Sequence, residues 1–324
     1  MPEPLLLASN RPPERFYRGG RRITEFRGEP RAAEREPEDW VGSATPLAGE
    51  TTLGLTVLPD GTTLVEAMAA DPLAWFGPEH VRAFGADPML LVKLLDAGER
   101  LPVHAHPDRE FAHRHLGRAH GKTEAWFILS PGIVHVGLRE PLDKAALAAL
   151  VASQDVETLL GLLHPIAVEA GDVVLVPAGV LHAIGEGILL VELQEPEDLS
   201  ILVEWRDFAI DGAELGHLGL GFDTALEAIE LEPSDPGRLI RTASFGLQVL
   251  PAAADPFFRL ERLRVEAVAS TEIGFAIAVV TEGHARIGSI DAPKGSTVLI
   301  PHSAGRVRIT GDAEIVFAQP PLAG

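Results

Sequence analysis

Five of the chain's twelve histidines fall between His104 and His120, and two of them, His104 and His106 in LPVHAHPD, stand two residues apart. On a strand, residues i and i+2 leave the same face, so both imidazoles can reach one metal ion. In GKTEAWFIL the same period gathers Lys122, Glu124 and Trp126 on one face and Thr123, Ala125 and Phe127 on the other. A third segment, GDVVLVPAGVLHAIGEG, reads as a strand over 172–176, a tight turn through Pro177 and Gly179, and His182 on the return. The chain has no cysteine, which excludes disulfides, thiolate zinc sites, iron–sulfur clusters and thiol nucleophiles together. Any metal must therefore sit on His, Asp, Glu or Gln. His104, His106, Glu124 and His182 form an N3O set suited to Zn2+, and equally to Mn2+, Fe2+, Co2+ or Ni2+.

A further carboxylate stands in a strand downstream. In ILLVELQ, period 2 places Ile188, Leu190, Glu192 and Gln194 on one face, so Glu192 is an ionisable group in an otherwise apolar strand. The other histidines have plainer readings. His135, His164, His217, His284 and His302, taken singly, are expected to be hydrogen-bonded residues rather than ligands. His113, His115 and His120 are expected on a solvated loop or helix face.

These residues need strands to position them, and the chain supplies them. Short Val-, Ile- and Leu-rich runs punctuated by Gly and Pro recur at 51–58, 101–106, 123–129, 173–176, 188–194 and 199–205, and again at 258–265, 274–281, 296–300, 306–309 and 313–317. Two stretches carry helical spacing instead, about 63–95 and 142–163. A weak repeat links the halves: Gly171 is followed by Pro177, and Gly295 by Pro301, at the same spacing. The expectation is a mostly β protein with two barrels, the first carrying the helical insertions, divided near the acidic stretch that ends at residue 236.

Composition narrows the partners. With 27 Lys and Arg against 47 Asp and Glu, the formal net charge is −20, and such a field repels nucleic acid and anionic membranes. The N-terminal apolar run, Leu5 to Ala8, is too short for a secretory signal, and no stretch nears the ~18 residues of a spanning helix. The expected partner is a small molecule and the expected compartment the cytoplasm.

Gly171, Pro177, Gly179 and His182 match the fixed positions of the second cupin motif, so a cupin (jelly-roll) barrel is implied, and Glu110 competes with Glu124 because HxH followed after three residues by Glu is the usual cupin spacing. Over most of its length the chain also resembles type I mannose-6-phosphate isomerases of the short bacterial form. MLLVKLLDAGERLPVHAHPDRE, GKTEAWFIL, PAGVLHAIGEG and VELQEPED stand in the order of that family's motifs, with RGGRRITEF and EDWVGSA upstream and TEGHARI and APKGSTVLIPHSAGRVRITGDAEIVFA downstream. The resemblance implies two cupin barrels, a metal-binding catalytic one in 1–236 and a metal-free one in 237–324. It also implies one zinc ion and interconversion of mannose 6-phosphate and fructose 6-phosphate through a cis-enediol. It places Glu192 on the family's glutamate, making it the candidate base, and Lys122 on its active-site lysine, which would hold a substrate hydroxyl or the phosphate.

Three positions depart from the family. His104 replaces a glutamine ligand, Arg18 stands where the family has a tryptophan, and Leu202 stands where it has an arginine. Arg18, entering from the N-terminal segment, is expected to supply the missing cation, with Arg206, four residues beyond Leu202 on the same expected strand, as the second candidate. An unphosphorylated sugar as substrate, an iron-dependent cupin dioxygenase and a non-catalytic sugar-binding cupin are the alternatives.

Overall fold

Leu91–Asp96, Glu124–Ile128 and Leu189–Gln194 are buried at every position, as expected of strands covered on both faces. In the computed structural model, which describes residues 2–242, 244–246 and 248–323, they form the middle of a six-stranded antiparallel sheet. Its order is Ile240–Thr242, Asp172–Val176, Glu124–Ile128, Leu189–Gln194, Leu91–Asp96, Glu38–Val41. Residues paired across an antiparallel ladder share a face. Register therefore lines up Val174, Trp126, Glu192, Lys93 and Trp40 in one row on one face.

The other face of this central sheet is apolar across its middle, with Asp39 and Asp96 towards its edge. Val92, Leu94, Phe127, Val191 and Leu193 pack there against Ile277, Val279, Leu299 and Val316 of a C-terminal sheet and Phe258 just ahead of it. Each such side chain buried contributes roughly 1.5–3 kcal/mol, so this face fixes the register of the strands that carry the charged row. The C-terminal sheet runs Leu5–Leu7, Thr297–Ile300, Ala276–Ile287, Arg306–Gln319, Arg259–Glu272, with Ile290–Pro293 paired to Ala276–Ile287. On the charged side lies a five-stranded sheet ordered Ile201–Leu202, His104–Ala105, His182–Ile184, Gly132–Leu138, Leu163–Val168. Trp126, Leu95, Leu190, Val134 and Ile184 fill the space between these two sheets.

The architecture is thus mostly β with several antiparallel sheets, as the strand spacing implies. The chain exchanges strands across the expected division at residue 236, since Leu5–Leu7 joins the C-terminal sheet and Ile240–Thr242 joins the central one. The helical stretch expected over 63–95 ends early. Thr63 and Glu66 form a capping box for Leu64–Ala70, Asp71 caps Pro72–Phe76, and Pro78–Phe84 ends at Gly85. Residues 91–95, read as helix, belong instead to the strand Leu91–Asp96, buried on both faces, whose continuous apolar run does not reveal its period. The run at 51–58, expected as a strand, is turns with a single bridge between Val57 and Thr63. The second helical stretch is the pair Lys144–Ser153 and Val156–Gly161, which covers the outer face of the five-stranded sheet. Gly171 and Gly295 both take positive φ, 92° and 86°, before their strands, consistent with the repeat. No helix among the described residues is long and apolar enough to cross a membrane.

Candidate active site

His104 pairs directly with His182 across two neighbouring strands, which explains why imidazoles 78 positions apart in the chain come together. His106 follows on the face of His104, and the turn at Pro177 to Gly179 is tied to it, since the Gly179 N–H donates to the His106 carbonyl at 2.7 Å. Gly179 takes φ 86°, a conformation that glycine adopts without penalty. Each imidazole is oriented through Nδ1 at a backbone carbonyl: His104 at Pro102 (2.8 Å), His106 at Leu199 (2.7 Å) and His182 at Val180 (2.8 Å). That arrangement makes Nδ1 the donor and turns each Nε2 lone pair inward. One nitrogen from each of the three lies within 4.8 Å of the others, and all three residues are buried.

Glu124 closes the cluster, with Oε2 3.0 Å from His106 Nε2 and Oε1 3.4 Å from His182 Nε2. The Trp126 indole, two residues along the same face, donates to Oε1 at 3.0 Å. Burial, reinforced by the other imidazoles, holds His104 well below the usual histidine range, and burial together with Lys122 pushes His106 down to about 3. Burial would raise Glu124, but Lys122 and His106 outweigh it and hold the carboxyl well below its usual range. Neutral imidazoles at His104 and His106 beside an ionised carboxylate are the protonation state that metal binding requires. His182 Nε2 is buried without a hydrogen-bond partner, and the cation facing His106 Nε2 and Glu124 Oε2, at 3.0 and 3.1 Å, is the Lys122 ammonium. The donor set, its tautomers and this unpartnered nitrogen fit a divalent ion of borderline softness.

From this cluster a ladder of alternating charge runs along the row set by strand register. Lys122 is 3.8 Å from Glu192 Oε1, Glu192 Oε2 is 4.0 Å from Lys93, and Lys93 is 3.4 Å from Glu38 Oε2. Glu38 Oε1 then accepts from Arg15 Nε and from the Tyr17 hydroxyl, both at 2.8 Å, and Trp40 donates to Oε2 at 2.8 Å. Burial, aided by the neighbouring Glu124 carboxylate, pushes Glu192 up to about 8, and its Oε2 is buried with no hydrogen-bond partner. Glu38 behaves oppositely: burial would raise it, but Arg15 and Lys93 hold it well below the usual range. One narrow pocket is lined by His104, Lys122, Glu192, Lys93, Glu38 and Arg15 among others. Two carboxylates with opposed environments beside a candidate metal centre provide a fixed anion and a proton carrier.

The structure thus brings together six of the sequence-derived residues: His104, His106, Glu124, His182, Glu192 and Lys122. It does not bring Arg18 or Arg206. The Arg18 side chain is 56% exposed and pairs with Glu34 at 3.5 Å. Arg206 donates to the Ser153 carbonyl from an exposed position, because the strand that would have carried it ends at Leu202 and the chain turns away. Glu110 lies on a short exposed helix and pairs with Arg114, so it is no rival to Glu124. Leu202 is buried and paired opposite His104, which puts an apolar side chain next to the cluster. His120 is buried too, against Asp87 at 2.6 Å, rather than on a solvated face. Sequence reasoning missed Arg15, Tyr17, Glu38 and Lys93. The available signal was Lys93, a lone charge in the otherwise apolar run LLVKLL.

The strand of His104 is anchored from behind. Glu204, buried, accepts from the Val103 N–H at 2.8 Å and from both terminal nitrogens of Arg100. Glu204→Ala leaves that N–H and guanidinium without their carboxylate, and loss of one partner of a buried pair costs about 3–5 kcal/mol. The variant is expected to unfold at a correspondingly lower denaturant concentration. An unchanged midpoint would show that this anchor contributes nothing.

Known proteins resemble the chain along its whole length. It is 27% identical over 328 residues to the mannose-6-phosphate isomerase of Streptococcus mutans, covering 98% of each chain. The mannose 6-phosphate isomerase of Bacillus subtilis superposes with a TM-score of 0.74 at 24% identity, covering 98% of this chain and all of that one. A mannose 6-phosphate isomerase structure bound with zinc and yttrium superposes with a TM-score of 0.71 at 16% identity over 99% of both chains. At these identities the two structures establish a shared fold. No protein-family model matches the chain.

Proposed function

We propose that this chain, which resembles mannose-6-phosphate isomerases from end to end, is itself a metal-dependent aldose–ketose isomerase interconverting mannose 6-phosphate and fructose 6-phosphate. The observation that carries the reading is Glu192: a buried carboxyl pushed up to about 8, with an unpartnered oxygen, in the pocket that His104 of the histidine cluster also lines. Isomerisation moves one proton between C1 and C2 and shifts charge between the two attached oxygens. His104, His106, Glu124 and His182 would hold the metal, zinc being the best fit and Mn2+, Fe2+, Co2+ and Ni2+ also compatible. When bound it supplies a Lewis acid for those oxygens.

The chain's own residues do the rest. Glu192 takes the C2 proton of the aldose and returns it to C1 of the cis-enediol, while the hydroxyl proton passes from O2 to O1 as the carbonyl moves to C2, and the reverse reaction uses the same carboxylate. Lys122 and Lys93 flank it and keep the ionised form accessible when the proton has left. The apolar wall of Leu95, Leu101, Pro102 and Phe16 limits water around the enediol. The wider reading is of two cupin-like barrels, a catalytic one within about 1–236 and a metal-free one within about 237–324, in a cytoplasmic enzyme. The His284–Asp291 pair of the C-terminal half is an exposed surface contact and fits a half that carries no metal.

Purified protein assayed on mannose 6-phosphate, mannose and fructose tests this. Conversion of the phosphorylated sugar, with exchange of the C2 proton into solvent, is the expected result. Sugar binding without that exchange would make the protein a sugar-binding cupin. Iron content with oxygen uptake would make it a dioxygenase.

A further inference from the structure

We infer that Arg15 is the cation that takes the substrate's phosphate and that Asp198 competes with the phosphate for it, an assignment that rests on the isomerase reading above. The pocket has three cations on its walls, and two are committed. Lys122 is held by Glu124 and His106, and Lys93 lies between Glu38 and Glu192. Arg15 spends only Nε on Glu38; its terminal nitrogens make no hydrogen bond to any described residue, and Asp198 Oδ1 lies 3.8 Å from one of them. The side chain is 15% exposed, so the guanidinium is largely removed from water while two nitrogens remain free to donate.

Chemistry and position both suit a phosphate. A guanidinium offers two parallel N–H donors that match two oxygens of a phosphate, and such charge-assisted pairs are about twice as strong as neutral ones. With a net charge of −20, the distant field opposes an anionic ligand, so the attraction must come from a nearby cation in a partly dry pocket. Lys93 and Glu38 stand between Arg15 and Glu192 in the ladder, so Arg15 stands at the opposite end of the row of charges from the carbons that Glu192 serves. In a hexose 6-phosphate the phosphate is at the far end of the carbon chain from C1 and C2. Arg15 therefore meets the phosphate end when Glu192 meets the reacting end. Asp198, fixed by the Ala48 N–H at 3.2 Å, is the carboxylate the phosphate must displace.

The two partners of this ion pair give opposite expectations. Calorimetric titration of inorganic phosphate into the metal-loaded protein should show Kd raised at least about tenfold in Arg15→Gln, the loss of a charge-assisted contact, and lowered severalfold in Asp198→Asn. In Arg15→Gln the preference for mannose 6-phosphate over mannose, as a ratio of kcat/KM, should fall at least tenfold, mainly through KM. A guanidinium that served only to position Glu38 would lower kcat and leave phosphate binding unchanged, and that result would overturn the assignment. Phosphate binding unchanged or weakened in Asp198→Asn would overturn the competition, and this variant keeps Arg15, so it remains informative if Arg15→Gln fails to fold. If phosphate binding depends on Arg15 but no hexose phosphate is isomerised, the isomerase reading fails and the phosphate site stands. If isomerisation proceeds and phosphate binding ignores Arg15, the reverse holds.

Discussion

His106→Ala is expected to lose its metal and its isomerase activity together, with metal content below about a tenth of wild type and kcat/KM lower by about a thousandfold or more. Polarisation by a bound metal contributes several kcal/mol of transition-state stabilisation, and each 1.36 kcal/mol is a factor of ten in rate. His106 is the informative member of the set because it meets both Lys122 and Glu124 at 3.0 Å and is oriented by the Leu199 carbonyl, just ahead of the strand Ile201–Leu202. Its removal takes a ligand away and leaves the Lys122 ammonium facing the Glu124 carboxylate as an ion pair that resists displacement by a metal. His182→Ala should behave alike. His284→Ala, at an exposed site in the C-terminal half, should retain both metal and rate. Metal analysis of each purified variant beside its rate is the check. Unchanged stoichiometry in both His106→Ala and His182→Ala would mean that the metal is held elsewhere.

The histidine cluster was legible in the sequence because its geometry is local. HxH needs only the period of a strand, and PxGxxH only a tight turn, so each residue's direction follows from its immediate neighbours. The outer half of the charge ladder was not legible, because Glu38 and Lys93 meet through cross-strand register and Arg15 reaches them from an irregular segment that no local pattern aligns. The strand that carries Lys93 is covered on both faces, so it lacks the alternation that would distinguish it from a helix. Arg206 failed for a related reason. Period 2 extends a face only while the strand lasts, and this one stops at Leu202. Arg18, expected to supply a cation from the N-terminal segment, turns its side chain outward to Glu34; the cation that lines the pocket from this segment is three positions earlier, at Arg15.

Glu192→Gln should lower kcat by about 10²- to 10⁴-fold, the range a positioned proton-transfer group contributes, while metal content stays at the wild-type level. Glutamine keeps the shape of the side chain in its row between Trp126 and Lys93 but cannot carry a proton from one carbon to the next. Exchange of the C2 proton with solvent should fall in the same proportion as turnover, because both need the same transfer. KM should move far less, since the groups placed to hold the sugar, the metal ligands and Arg15, remain. Stability separates this from a structural effect. A glutamate pushed up to about 8 in the folded protein, against about 4.3 when unfolded, favours folding less as pH rises between those values. At pH 7 glutamine removes that disadvantage, and Lys122 and Lys93 still have Glu124 and Glu38 as partners, so the variant should melt no lower than wild type. A fall in melting temperature matched by partial loss of both metal and rate would assign Glu192 to the framework of the site. Loss of turnover and proton exchange in a fully stable, fully metallated protein would leave proton transfer as its role.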